Sequence, residues 1–250
     1  ISDKTVEKVE TKQETSDVLL NMFYRAASIG SPQIVQFLIE NKGIDPDGKT
    51  STKGNFMTPL HTACANGRVE VVELLLEKGA SASTRDPNGV MPIHMAAQHG
   101  PTEILDLLVK KVPLHVRDDN EQTILHHAAR ADAPGKVFNW IIERWDKDKN
   151  VQLMSKKNGF YDWEDKWGRT PLHWATVNGH RNSVTRLLDL KVDRKKKDKS
   201  GETALEIAER RAKCGAAELR PNGMGASVFG DIAKVLGGSG TTKQVKTYDK

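Results

Sequence analysis

The chain has 250 residues, 37% of them hydrophobic and 28% charged, with a net charge of +5. No apolar run reaches the roughly 18 residues that a membrane-spanning helix needs. Cys64 and Cys214, far apart and without CxxC spacing, exclude a disulfide scaffold or zinc site. That cysteine usage points to a reducing, intracellular compartment, the cytoplasm first, with the nucleus or an organelle left open. Residues 191–250 carry a net +6 and the remainder −1, so the basic character belongs to the C-terminal quarter. Beginning at Ile1 with neither an initiator Met nor an apolar signal core, the sequence reads as a fragment or a processed product.

Residues 1–16 are polar and charged and are expected to be flexible or a frayed helix. The next segment runs through Asn21, Met22, Phe23 and Tyr24, then Ala26, Ala27 and Gly30, to an apolar helix at Ile34, Val35, Phe37, Leu38 and Ile39. At Thr58-Pro59-Leu60-His61 a sharper motif begins. It returns at Met91-Pro92-Ile93-His94, Thr123-Ile124-Leu125-His126 and Thr170-Pro171-Leu172-His173, with an echo at Thr203-Ala204-Leu205-Glu206. The steps are 33, 32, 47 and 33 residues. A fixed period of this size marks stacked units that cannot bury their apolar faces alone.

Within a unit, Gly54 and Asn55 suit a turn, Thr58 is an N-cap and Pro59 fits the first helical position, where a missing N–H costs nothing. Ala63 and Cys64 keep this short helix slim, with Cys64 expected to be buried, and Gly67 ends it. Val71, Val72, Leu74, Leu75 and Leu76 form the apolar stripe of a second helix, stopped by Gly79-Ala80. A polar stretch then leads to Asn88-Gly89, a hairpin signal. The copies depart from this plan in places. Val112-Pro113 is expected to stop a helix, Asp132-Ala133-Pro134-Gly135 replaces the inter-helix glycine, and Cys214 to Gly230 interrupts the sixth unit.

These residues carry a resemblance to the ankyrin repeat, over roughly residues 20–236. The resemblance implies an all-α solenoid of about six helix-turn-helix units with β-hairpin fingers. The domain is placed at residues 17–236, with an extended finger at 146–163 and a divergent C-terminal cap at 203–236. Residues 237–250 read as a flexible tail. A concave groove is implied along the position after each motif histidine.

The recurring His61, His94, His126 and His173 serve the unit, bonding the backbone of neighbouring loops through both ring nitrogens. Units about 10 Å apart could not close three imidazoles on one ion at Zn–N distances near 2 Å, so no metal or cofactor is expected. Neither is catalysis: no HExxH, nucleophile elbow, kinase set or phosphate loop occurs, and Asp118-Asp119 suits a turn. His127 is read as a surface residue.

All five tryptophans lie between residues 140 and 174. Phe138 and Trp140 align with core positions, and Trp145 is placed beneath the inserted finger. Trp163, Trp167 and Trp174 fall where polar residues would suffice, which suggests a desolvated contact, since tryptophan is enriched at binding hot spots. Tyr161 and Trp163 could equally pack the finger onto its neighbour.

The favoured function is a non-enzymatic module that binds a protein of unknown identity. By register, its surface comprises Met57, Thr62, Asn66, Val90, Met95, Gln98, Gln122, His127, Arg130, Trp163, Trp167, Arg169, Trp174 and Asn178. The alternatives are a scaffold subunit of a large complex, or an anionic surface, nucleic acid or lipid, held by Lys191, Arg194, Lys195, Lys196, Lys197 and Lys199. No aromatic interleaves with that basic run, which argues against nucleic acid.

Overall fold

The computed structural model describes residues 3–48, 57–133, 135–147, 159–213 and 226–237. They form two compact units, residues 1–156 and 157–250. The first holds four helix pairs: α1 (Asp3–Ile29) with α2 (Pro32–Lys42), α3 (Pro59–Ala65) with α4 (Val69–Glu77), α5 (Pro92–His99) with α6 (Thr102–Leu108), and α7 (Ile124–Ala131) with α8 (Gly135–Lys147). The second opens on a 3₁₀ turn, Phe160–Asp162. It continues through α9 (Pro171–Val177) with α10 (Arg181–Asp189) and α11 (Ala204–Lys213) with α12 (Ala226–Gly237). Among the described residues no helix is long and apolar enough to cross a membrane.

In the first unit α1, α3, α5 and α7 pack in one row and α2, α4, α6 and α8 in a second. The second unit repeats this on a smaller scale, α9 against α11 and α10 against α12. Slim first helices allow the close approach. Ala63, Cys64, Ala96, Ala97, Ala128, Ala129 and Ala175 are all fully buried. Burial pushes the Cys64 thiol pKa far up, so it behaves as a small apolar residue. Leu75, Leu105, Ile141 and Leu187, on the second helices of their pairs, are fully buried, each contributing about 1.5–3 kcal/mol through the apolar surface removed from water.

The motif histidine works at both ring nitrogens. Nδ1 of His61, His94, His126 and His173 accepts the backbone N–H of residues 58, 91, 123 and 170 at 3.0–3.2 Å, closing the first turn of each helix. Nε2 reaches the next finger, donating to the carbonyls of Val90, Val116 and Glu202 from His61, His94 and His173 at 2.9, 3.3 and 3.3 Å. In the sixth pair Glu206 takes over the first task, its carboxylate accepting the Thr203 N–H at 2.7 Å.

The fingers differ from the expected β-hairpins. Among the described residues the only β pairing outside helices is a single antiparallel bridge between Lys197 and Thr203. A buried aspartate shapes each finger instead. Asp86, Asp118, Asp165 and Asp198 accept from the N–H groups two and four residues onward, through one carboxylate oxygen, at 2.8–3.2 Å. Each also donates its own N–H to the carbonyl four residues on, at 2.9–3.0 Å. This side-chain turn satisfies the loop without a ladder. Adjacent fingers then join peptide to peptide: Asp119 N–H donates to Asn88 O at 3.1 Å, and Lys199 N–H to Trp167 O at 2.9 Å.

Two further expectations change, and a third is narrowed. Residues 1–16, expected to be flexible or a frayed helix, belong to α1 from Asp3 onward; Lys and Glu are good helix formers, and no Gly or Pro interrupts the stretch. α6 stops at Leu108, ahead of Pro113, because the Leu108 carbonyl turns to accept from Lys111 and Val112 N–H. Trp140, expected in the core, is half-buried and donates to Asp106 at 3.0 Å, whereas Phe138 and Trp145 are buried. Asp132, at φ 52°, takes the left-handed position that glycine fills elsewhere. The expected turn at Gly54-Asn55, Pro134, the greater part of the extended finger (148–158), residues 214–225 of the interruption and the tail beyond Gly237 lie outside the described residues; the interruption, expected to run to Gly230, gives way to helix at Ala226, where α12 begins.

Candidate protein-binding surface

The surface in the second unit is built on Asp165. One carboxylate oxygen holds the N–H groups of Trp167 and Arg169, both at 2.9 Å, and fixes the finger. The other accepts the indole N–H of Trp174, on α9, at 2.7 Å. The two indoles therefore meet edge to face, with centroids 6.3 Å apart and planes at 72°. The Arg169 guanidinium lies 5.4 Å above the Trp174 ring, and its Nε donates to Asp198 at 3.3 Å. Burial acts to raise the Asp198 carboxyl pKa, but hydrogen bonds from Ser200, Glu202 and Arg169 outweigh it and hold the group below its usual value. Asn178 donates to the Trp174 carbonyl at 2.9 Å. Trp167 remains 42% exposed, unusual for a large apolar ring, while Trp174, Arg169 and Asn178 are half-buried around it. Fixed indoles of this kind meet a partner with little ordering entropy left to lose.

Trp163 lies apart from this pair. Its ring packs against Phe160, tilted by 59° with centroids 4.8 Å apart, and Phe160 is buried. The neighbouring Asp162 carboxylate accepts the Asp193 N–H at 3.0 Å, and burial raises its pKa. Lys196 bonds the Asp162 carbonyl at 2.8 Å and pairs with Glu164 at 2.7 Å. Trp163 thus belongs to the packing that ties the finger to the basic segment. Within that segment Lys191, Arg194, Lys195, Lys197 and Lys199 are exposed and Lys196 is half-buried.

The first unit corrects the expected surface. His127 was placed on it but is 1% exposed, sealed between Gln98 and Asp118. Its Nδ1 accepts from Gln98 Nε2 at 2.7 Å and its Nε2 donates to Asp118 at 3.0 Å, with the His94 ring 4.9 Å away. Burial holds both imidazoles below their usual pKa, His94 down to about 3. For Asp118, burial acts upward, but the bonds from His127 and Gln122 prevail and lower its pKa. Gln122 and Val90, also assigned to the surface, are buried because the finger folds them under its neighbour. Met57 and Asn66 are exposed; Thr62, Met95, Gln98 and Arg130 are half-buried. Asn66 turns inward to donate to the Thr62 carbonyl at 2.8 Å.

Sequence reasoning missed the carboxylates that hold the rings. Asp118 precedes His127 and Asp165 precedes Trp174 by nine residues, and in both cases a ring N–H reaches the aspartate's second oxygen. An aspartate nine residues before a side chain with a ring N–H was the available signal. Among the described residues no three His, Cys, Asp or Glu side chains are grouped to hold a metal ion.

Family models described as ankyrin repeats match residues 22–76, 60–109 and 93–142, and a three-copy model matches residues 150–219. A palmitoyltransferase of Lachancea kluyveri is 27% identical over 80% of this chain, which spans 26% of that protein. The human transient receptor potential cation channel subfamily A member 1 is 30% identical over 67% of the chain, which spans 14% of it. The Caenorhabditis elegans homologue of that channel is 26% identical over 60%, with 9% of its length covered. The chain therefore corresponds to a minor part of each relative. Among solved structures, a chain from the complex of a Bdellovibrio bacteriovorus predatory endopeptidase with an immunity protein superposes with a TM-score of 0.58 and 23% identity. That match covers 86% of this chain and 96% of the other.

Proposed function

From the premise that this chain belongs to the ankyrin-repeat family, whose modules bind proteins, we propose that it is a non-enzymatic adaptor that captures a partner protein at the Trp167–Trp174 surface. The carrying observation is the exposed Trp167 ring locked against Trp174, with Arg169 stacked above. Tryptophan and arginine lead the residue types that dominate binding energy at interfaces. Asn178 extends this surface along α9, and Met57, Thr62, Asn66, Met95, Gln98 and Arg130 form the candidate contact set of the first unit. Trp163, packed on Phe160, supports the finger that carries Trp167.

The names of the relatives describe whole proteins of which this chain matches a part, so no acyl transfer or ion conduction is carried over. The alternative of an anionic surface at residues 191–199 is weakened by Lys196, which is committed to Glu164 and the Asp162 carbonyl. The test is affinity capture from an extract with the intact chain and with a Trp167→Ala/Trp174→Ala double variant. Proteins retained by the intact chain should fall at least about tenfold with the variant, equivalent to about 1.4 kcal/mol, while circular dichroism stays the same. Equal retention by both would remove this surface from the site.

A further inference from the structure

Resting on the Trp167–Trp174 reading above, we propose that the partner segment this surface takes is acidic: an apolar side chain set against the Trp167 ring, flanked by carboxylates that meet Lys166 and Lys199. These three residues lie on two consecutive fingers of the second unit. Lys199 N–H donates to the Trp167 carbonyl at 2.9 Å, and the Lys199 stem lies across Gly168, where a Cβ would fall 3.3 Å from its Cγ. Lys166, Trp167 and Lys199 are all exposed.

Register sets this triplet apart from the rest of the stack. Lys166 and Lys199 each directly follow a finger aspartate, Asp165 and Asp198, and the same position holds Pro87 after Asp86 and Asp119 after Asp118. Trp167 takes the place of Asn88. The rung in the first unit is therefore made by Pro87, Asn88 and Asp119, uncharged or negative, with Arg85 3.7 Å from the Asp119 carboxylate. The rung in the second unit keeps the backbone bond but shows two ammonium groups beside an indole. Solvation of a finger asks only for polar groups, as Asn88 supplies; a ring exposed by 42% beside two cations is a different surface.

The acids of these two fingers are already taken. Asp165 holds the Trp167 and Arg169 N–H groups and the Trp174 indole. Asp198 holds the Ser200 and Glu202 N–H groups and the Arg169 guanidinium. Glu164 pairs with Lys196 at 2.7 Å, and Glu202 holds Arg210 through both oxygens at 2.7 and 2.8 Å. Of the cations, Arg169 is committed to Asp198 and the Trp174 face, and Lys197 sits at the base of its finger, at the bridge to Thr203. Among the described residues no carboxylate ion-pairs with Lys166 or Lys199. The complement to two unneutralised ammonium groups around an apolar ring is a segment with carboxylates around an apolar side chain. In such a contact the ring supplies most of the affinity, while the charges at its rim raise the association rate and its sensitivity to salt.

Selection from a phage-displayed library of random peptides on the full chain tests this. The enriched peptides should carry Asp or Glu on both sides of an aromatic or large aliphatic residue. A Lys166→Glu/Lys199→Glu variant should slow association of the leading peptide at least about tenfold at low salt in stopped flow, and selection on that variant should turn to peptides flanked by Lys or Arg. Should the reversed variant fail to fold, Lys166→Gln/Lys199→Gln provides the same reading through a smaller change. Peptides that are lost with Trp167→Ala/Trp174→Ala but show no acidic bias overturn this proposal and leave the tryptophan surface standing. Acidic peptides that the double alanine variant still binds overturn both. An absence of enrichment, or displacement of the leading peptide by a single-stranded oligonucleotide at a lower concentration than the unlabelled peptide needs, overturns the acidic segment as the occupant.

Discussion

The repeats of α7 and α9 begin from nearly the same chemistry and end at different uses. In each, a finger aspartate spends one oxygen on two backbone N–H groups and the other on a ring N–H nine residues later. Where the ring is the compact imidazole of His127, it disappears between Gln98 and Asp118 and the position becomes part of the interior. Where it is the indole of Trp174, the same anchor leaves the ring face uncovered enough for Trp167 and Arg169 to gather against it. Side-chain size, not register, decides whether this position is sealed in the stack or left half-exposed.

The comparison breaks first at the aspartates. Asp118→Ala removes two backbone bonds and strands a buried imidazole, and should cost about 3 kcal/mol in urea unfolding. Asp165→Ala removes the equivalent bonds beside a half-exposed ring that water can still reach, so about 2 kcal/mol is expected. Equal losses would mean that the buried ring adds nothing.

Acid sharpens the contrast between the two units. Burial lowers the pKa of His61, His94 and His127 in the first unit and of His173 in the second, from an unfolded value of 6.5. Above that value both states are neutral and stability is complete. As pH falls below it, the unfolded chain takes up protons that the folded chain refuses, and stability declines by up to about 1.4 kcal/mol per pH unit for each such ring until its folded pKa is reached. Asp118, with its own pKa lowered, adds a further loss only as pH falls through its folded value. Hydrogen exchange at pH 7.5 and pH 5 should therefore show first-unit amides losing more protection than second-unit amides. Uniform loss would contradict this assignment.

The smallest stability effects belong to the rings at the surface. Trp174→His keeps a ring N–H for Asp165 and should change stability by less than about 1 kcal/mol, yet reduce partner capture. Trp167→Ala should be similarly mild in thermal melts and costly in binding. A large melting shift in either would assign that ring to the core.

Much of this was legible in the residues. Thr58-Pro59, Thr123 and Thr170-Pro171 mark helix starts through their own caps, and the motif histidines repeat too regularly to be anything but structural. The caps and the histidine Nδ1 bonds are written in the sequence because their partners lie within four residues. His127, Gln122 and Val90 were misplaced because their burial depends on how one finger folds over the next. Trp140 was misplaced because an indole can lie half out of a row and still find Asp106. Ile34 and Phe37 looked like ordinary helix stripe yet are exposed, since hydrophobic spacing does not tell which apolar positions a neighbour covers.

The peptide rungs between fingers carry one more consequence. A Cβ at Gly89 would fall 2.0 Å from the Asp119 carboxylate and 2.6 Å from its backbone nitrogen, so the loops nest as tightly as rungs on a ladder. Deleting a single residue between Asp86 and Val90 would break the Asp86 turn and its rung to Asp119. Length changes are instead confined to stretches outside these turns, as in the 47-residue step from Thr123 to Thr170.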